Sequence, residues 1–437
     1  MPLNNTIVSY SNVVKPFGGP DQFLAKTRDA ATKVLGDPAK VNAAMSDLKS
    51  GLDLWQAAEV NPKVLHTPRH AMTSLLQTHV AKQAAQANKL VEFLLKVEEK
   101  ILECFEVRFS TADWPEWAAS FFTWQPHIKT ADFPAAKATA DPIPNSFSMC
   151  VLGDFGTGLY GAPACSKSIV NGPDNYNLML HLGDVYYSTT SEEVQSRFFE
   201  FWPRMPNAVN RTLNGNHEMY NGGINYFGEM LPNFGQQSSY FAMQNDNWVL
   251  AFLDTAFNGD VGGAEGLLDD TQMGWLKGIV NNAGNGQQLV LFSHHQPYSL
   301  VENNSGGNLI SQMEKFGIAD KIYAWYWGHE HRCLLYDPHP AHGFRGRCVG
   351  HAGFPETRPD LTNADISPDF GSQWRRLKSK DGAKPDTWIY DTNNLYIPGF
   401  ETLFAPNGFM RLEFNDRHLV EYVRTPDNSN VWLKELV

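Results

Sequence analysis

Five short stretches hold the residue types that can do chemistry. They are Leu152-Gly153-Asp154-Phe155-Gly156, Leu182-Gly183-Asp184-Val185-Tyr186-Tyr187, Asn214-Gly215-Asn216-His217-Glu218, Ser293-His294-His295-Gln296-Pro297 and Trp327-Gly328-His329-Glu330-His331. Carboxylate and amide oxygens combined with imidazole nitrogens are the donors that two neighbouring metal ions need. Two ions held about 4 Å apart require an anionic ligand between them, so one carboxylate is expected to bridge. A Gly-Asp pair alone arises by chance, and Gly-Asn-His-Glu is only modestly specific. Gly-His-x-His is more telling, because each imidazole can reach a different ion. One His alone would read as a loop cap or the partner of a backbone carbonyl. The ordered set of five reads as a site.

Each stretch follows an apolar run with the character of a buried strand: Phe147–Leu152, Leu178–Leu182, Val209–Leu213, Leu289–Phe292 and Ile322–Trp327. In an open α/β sheet, ligands gather beyond the carboxyl ends of the strands. The spacing therefore predicts that one sheet edge collects two Asp, one Asn and several His.

The rest of the chain is read as support for that edge. The chain has 437 residues, 42% hydrophobic and 19% charged, a globular composition. Its formal net charge of −12 disfavours a nucleic-acid partner bound by bulk electrostatics. The five cysteines are widely spaced and lack a CxxC pair, which points to a reducing compartment, with Cys333–Cys348 as the one disulfide to consider. No membrane span and no secretory signal are visible, so a cytoplasmic location is expected unless a leader has been removed.

Residues 1–20 read as a polar extended arm, and 21–107 as helical: Phe23–Leu35 ended by Gly36, then about 38–60, then about 68–106. Residues 108–146, rich in Trp, Phe and Pro, read as a strap. From 147 to 437 strands and helices alternate. Helices are predicted near Ser191–Trp202 and Asp269–Val280, and paired strands at Ser238–Met243 and Trp248–Asp254. Residues 355–407 read as a long insertion or surface loop, and three short strands close the chain.

The set Asp154-Phe155-Gly156, Gly183 to Tyr187, Gly215 to Glu218, Leu291 to His294 and Gly328 to His331 resembles the calcineurin-like metallophosphoesterases, and within them the purple acid phosphatases. The resemblance covers about residues 147–352 and leaves 1–146 unexplained. It implies a four-layer α/β/β/α sandwich, here with an extra N-terminal α-helical region. It also implies two metal ions. The first would take Asp154, Asp184, Tyr187 and His331. The second would take Asp184 as bridge, Asn216, His329 and one of His294 and His295. The His-His-Pro-Pro pattern of some relatives selects His294, which is favoured; the His-x-Pro of the purple enzymes selects His295. Gly156 stands where many relatives carry a ligand His, and Tyr187 would supply the missing donor as a phenolate. That selects Fe(III), paired with Fe(II), Zn(II) or Mn(II).

By the same resemblance His217 is the catalytic general acid or phosphate-binding His, Glu218 orients a neighbour, and Glu218 and His351 are candidates for the substrate rim. The implied activity is hydrolysis of a small-molecule phosphate ester, with metal-bound hydroxide attacking phosphorus, most readily of a monoester as in acid phosphatases. The alternatives are a phosphodiesterase acting on nucleotides or lipid head groups, and a non-catalytic binding protein on the same fold.

Overall fold

The structure, a computed structural model, describes residues 3, 6–94, 105–106, 114–124, 131–259, 266–302, 307–380 and 382–436. The chain forms two compact units that interleave in sequence. One consists of Met1–Ala131, Val185–Glu200 and His217–Asn225, the other of Asp132–Asp184, Phe201–Asn216 and Tyr226–Val437.

The second unit is built on two sheets. The smaller has the strand order Asn430–Leu436, His418–Arg424, Phe409–Asn415, Ser146–Leu152, Leu178–His181, Val209–Thr212. Its last three strands run parallel, with Leu152 opposite His181 and His181 opposite Thr212. The ten-stranded sheet holds Trp248–Phe252, Gln288–Ser293, Ile322–Trp327 and Arg345–Val349 side by side and parallel at its centre. There Phe252 lies opposite Phe292, Ser293 opposite Trp327, and Trp327 opposite Cys348. In both sheets the parallel strands thus stop level, which is what brings the following residues to one edge.

Alternation along each strand sets the layers. Phe147, Met149 and Val151 meet Phe252, Val290, Phe292 and Tyr326 in the core between the sheets. The opposite face of the large sheet, with Val249, Leu291 and Trp325, packs on Met273 and Leu276 of helix Asp270–Asn281 and on Leu309 and Met313 of helix Gly307–Phe316. Helix Gly161–Asn171 brings Cys165 beside Cys150 on the outer side of the small sheet. This is the four-layer α/β/β/α arrangement. One ionic network is sealed between the sheets: Arg347 Nε donates to Glu421 (2.8 and 3.0 Å), and Tyr326 donates to the same carboxylate (2.7 Å).

The first unit contains helices Pro20–Leu35, Pro38–Ala58, Ala71–Leu94 and Trp114–Trp124. The first ends at Gly36 (φ 68°), and Asp37 caps the second by accepting from the Ala39 amide at 2.8 Å. Among the described residues, no helix is long and apolar enough to cross a membrane.

Several expectations change. Residues 6–17 are not a polar arm: Thr6–Ile7 is a strand, Tyr10–Val13 a helix, and Ile7, Val8, Val13, Val14 and Phe17 are buried. The third helix is described as far as Leu94; residues 95–104 lie outside the described residues. Phe105–Glu106 is a strand parallel to Thr6–Ile7, not helix. The aromatic stretch splits: Trp114–Trp124 is a helix in the first unit, with Trp114 against Phe17 and Phe23 and its Nε1 donating to Thr27, whereas Asp141–Pro142 edges the large sheet. Residues 355–407 are no plain loop, since Ile366–Ser367, Gly371–Leu377 and Thr387–Tyr390 extend that sheet. Cys333 and Cys348 are free. They sit on adjacent strands but face opposite sides of the sheet, so a disulfide cannot form.

Candidate metal centre

The level strand ends place Asp154, Asp184 and Asn216 beyond the small sheet and His294, His295, His329 and His331 beyond the large one. All seven belong to the second unit and all are buried. The backbone is bent hard there. Asp154, Asp184, His329 and His331 all have positive φ (56°, 77°, 67° and 53°), an arrangement that non-glycine residues adopt at a cost of about 1–3 kcal/mol each. Such outliers persist where the surroundings force them, and here they coincide with ligand-type side chains.

Tautomers are set by backbone carbonyls. His294 Nδ1 lies 2.8 Å from the Leu182 carbonyl oxygen, which can only accept, so Nδ1 carries the proton and Nε2 presents a lone pair. Around that Nε2 stand Asn216 Oδ1 (3.0 Å), His329 Nδ1 (3.1 Å) and Asp184 Oδ1 (3.4 Å). Asn216 Oδ1, Asp184 Oδ1 and His294 Nε2 are acceptors, and His329 Nδ1 joins them in the tautomer that carries its proton on Nε2. This fits a cation held by Asp184, Asn216, His294 and His329.

The second cluster is Asp154, Asp184 and His294 with His331, whose Nε2 lies 3.3 Å from Asp154 Oδ1. Asp154 Oδ2 also accepts from the His329 amide at 2.8 Å. Burial lowers the His331 pKa, but Asp154 and Glu356 outweigh it and hold the imidazole at about 9. Glu356 Oε2 lies 3.7 Å from His331 Nδ1 and Arg332 lies 3.4 Å from Glu356; burial opposes this carboxylate's charge, yet the two cations keep its pKa below the usual range. Glu356 had no spacing signal in the sequence. Neither did Thr255, whose hydroxyl lies 3.0 Å from His295 Nδ1 and accepts from the His295 amide at 3.1 Å. His295 thus groups with His294 and His329 but is tied to Thr255.

Close approach requires glycine at two places. A Cβ on Gly350 would meet Asp154 Oδ2 at 2.7 Å, and one on Gly183 (φ 102°) would meet His294 Nδ1 at 2.8 Å. Asn214, at the head of its motif, donates to both oxygens of buried Asp254 at 3.1 Å, and Asp254 in turn accepts from the Ala256 and Phe257 amides.

The remaining sequence candidates behave differently. Tyr187 belongs to the first unit, where its hydroxyl donates to the Thr6 carbonyl (3.4 Å) and accepts from the Val8 amide (3.1 Å). Burial pushes its pKa up, although the Arg197 guanidinium, 4.6 Å over the ring, works against that. The phenol oxygen is thus engaged with the N-terminal strand, and these contacts carry neither a ligand role for Tyr187 nor a choice of Fe(III). His217 is in the same unit and buried, with Nδ1 2.6 Å from the Tyr187 carbonyl oxygen. Glu218 is buried, and His351 is buried with its ring against Gly408 and its carbonyl accepting from Gly408 and Asn407; burial lowers its pKa to about 3, so it is neutral.

Residues 147–333 match the family model of the calcineurin-like phosphoesterases. No curated protein sequence matches the chain. Among solved structures, similarity is found to a purple acid phosphatase from yellow lupin (Lupinus luteus) seeds, at 14% identity and TM-score 0.45 over 68% of this chain and 55% of that one. The inner-membrane-complex anchor of Plasmodium matches at 10% identity and TM-score 0.42 over 67% of this chain and 88% of that one. A dimetal phosphatase from Danio rerio matches at 11% identity and TM-score 0.39, covering 67% and 98%. This chain thus spans little more than half the length of the lupin protein.

Proposed function

We propose that the protein is a two-metal hydrolase of phosphate esters, acting best on monoesters, a reading supported by the match of residues 147–333 to the calcineurin-like phosphoesterases. The observation that carries this reading is the convergence of Asp184, Asn216 and His329 on the lone pair of His294 Nε2. One ion would be held by Asp154, Asp184 and His331, the other by Asp184, Asn216, His294 and His329, with Asp184 shared. Two carboxylates, an amide and imidazoles suit zinc, manganese or iron alike. Such a pair, when bound, supplies Lewis-acid polarisation of the phosphoryl group and an acidified water. His217 follows Asn216 directly in the chain. On the family resemblance it is the candidate proton donor to the departing alcohol or a phosphate ligand.

The test is metal analysis of the purified protein together with turnover of p-nitrophenyl phosphate and bis(p-nitrophenyl) phosphate. About two ions per chain and faster monoester turnover are expected, with Asp184→Ala losing metal and at least about a hundredfold in kcat. Diester turnover exceeding monoester turnover would move the substrate assignment to phosphodiesters. Normal turnover in Asp184→Ala would remove the metal-centre reading altogether.

A further inference from the structure

We propose that a cavity of about 150 Å³ in the second unit, lined from strands Val209–Thr212 and Phe241–Gln244 and from residues 135–141, binds a small tetrahedral oxyanion such as phosphate or sulfate. It shares no residue with the candidate metal centre, and the proposal stands independently of the phosphoesterase reading.

Strand register shows why Arg211 is out of place. It sits on Val209–Thr212, the outermost strand of the small sheet, opposite Leu180. Leu178, Leu180 and Leu213 belong to the core between the sheets, so alternation puts Arg211 on that same apolar face. A permanent charge is rare at such a position unless it is paired. The guanidinium lies 5.8 Å over the ring of Phe241, which is itself stacked on Phe252. Its Nη1 donates to the carbonyls of Asn210 (2.8 Å) and Phe234 (3.2 Å). Among the described residues, nothing accepts from Nε or Nη2 and no carboxylate pairs with the group. Desolvation pulls the Arg211 pKa down and Asp141 restores it only in part, so the chain itself does not offset the burial of this charge. Asp141 is already engaged, with Lys137 Nζ 2.8 Å from its Oδ1. Two cations and one carboxylate line the cavity, which leaves it net positive.

Nε and Nη2 together form a fork of two parallel N–H groups, the shape that grips two oxygens of one oxyanion. A planar carboxylate would use both its oxygens there. A tetrahedral oxyanion keeps further oxygens for the Lys137 ammonium and the Thr139 hydroxyl, which line the same cavity. The space equals that of about five water molecules and suits an ion of this size. The walls are formed in advance. Gln236 Oε1 accepts from the Thr212 amide at 2.9 Å, and its Nε2 donates to the carbonyls of Thr212 (2.9 Å) and Ser238 (2.8 Å), which fixes the loop beside Arg211. The stretch carrying Lys137 is anchored by the Ser238 hydroxyl on the Pro134 carbonyl (2.9 Å) and by Trp275 Nε1 on the Lys137 carbonyl (2.8 Å). Donors held in place before binding lose little freedom when the ion arrives.

The test is calorimetric titration of the full chain with sodium phosphate at constant ionic strength. It is done in the Asp184→Ala background, so that phosphate taken up by a metal pair does not contribute. One phosphate per chain is expected to bind with a Kd on the order of 1 mM, and adding Arg211→Gln should weaken it about tenfold or more. Lys137→Glu changes a largely exposed side chain, turns a cation into a carboxylate at the cavity, and should weaken binding to a similar degree; it keeps the test decisive if Arg211→Gln does not fold. Sulfate should compete with phosphate, and acetate should bind about tenfold more weakly. Phosphate binding that is untouched by both substitutions, or absent from the background protein up to about 20 mM, would overturn the proposal. Acetate binding as tightly as phosphate would overturn the choice of a tetrahedral ion. Arg211→Gln in the otherwise wild-type chain should keep its metal, so failure of this site and failure of the metal-centre reading are told apart.

Discussion

At the scale of single residues, the sharpest statement concerns two neighbouring histidines. His294 and His295 are equivalent by motif, since each can be aligned to a ligand in a different branch of the family. The structure separates them by their Nδ1 partners: a carbonyl for His294, which fixes a bare Nε2, and the Thr255 hydroxyl for His295, which can either give or take a proton. We expect His294→Ala to lose at least one ion per chain and His295→Ala to keep both, read by metal analysis of the purified proteins. The reverse result would exchange the two assignments. A second residue-scale test uses Gly350. An added methyl would meet Asp154 Oδ2 at 2.7 Å, the His331 amide at 3.0 Å and Gly328 at 3.1 Å. Gly350→Ala should lower metal content and cost about 1–3 kcal/mol in denaturant unfolding; unchanged values for both would show that the centre has slack. Tyr187 gives the opposite lesson. Its spacing from Asp184 is that of a ligand, while the partners of its hydroxyl lie 181 and 179 positions earlier in the chain. No motif reaches that far.

At the scale of elements, all five strands that precede the chemistry lie where expected; four are largely apolar, whereas Val209–Thr212 carries Asn210 and Arg211 and is only partly buried. Ser146–Leu152 and Ile322–Trp327 lie within a residue of expectation. The strand Gly371–Leu377 was not legible, because only Trp374 in it is buried and the flanking residues are polar, which is how an outlying strand of a large sheet reads. One inter-element contact has a pH signature. His342 Nδ1 lies 2.7 Å from Asp320 and Nε2 lies 3.0 Å from Glu314 on helix Gly307–Phe316, with the ring stacked on His339. Desolvation pulls the His342 pKa down, but the two carboxylates outweigh it and raise it, whereas burial and His342 lower that of His339. A raised pKa in the folded state means that the stabilisation is fully present below the unfolded value near 6.5 and fades as pH climbs through the folded one. His342→Asn should therefore lower the melting temperature at pH 6 and change it little at pH 9. The carboxylates are largely exposed, so the effect is a few tenths of a kcal/mol. A loss at pH 9 as large as that at pH 6 would mean that the ion pairs are not its source.

At the scale of the whole molecule, the two units do not correspond to two lengths of chain. Residues 185–200 and 217–225 are embedded in the stretch that matches the phosphoesterase model but cluster with the N-terminal helices. The sequence suggested a helical appendage followed by an enzyme, because periodicity reports each segment's own shape and not its company. We expect a fragment of residues 132–437, although it keeps all seven candidate ligands, to be poorly soluble or metal-deficient. Removing the first 131 residues takes the Leu3 and Thr6 carbonyls from Arg197 and the Thr78 hydroxyl from Glu193, both fully buried side chains. A soluble fragment with full metal content and turnover would show that the embedded segments manage alone.

The grip of Arg197 on Leu3 and Thr6 also bears on how the chain is made. Leu3 and Thr6 leave the ribosome early, yet the guanidinium that donates to their carbonyls is polymerised more than 190 positions later. At about 5–20 residues per second, roughly 10–40 s pass in between, during which the buried face of Ile7, Val8, Val13 and Phe17 has only part of its eventual company. Holdase chaperones that shield apolar nascent segments would find their natural client in that interval. Slow codons between 107 and 185 would lengthen it, and the yield of soluble protein should then depend on synonymous changes that leave every residue as it is.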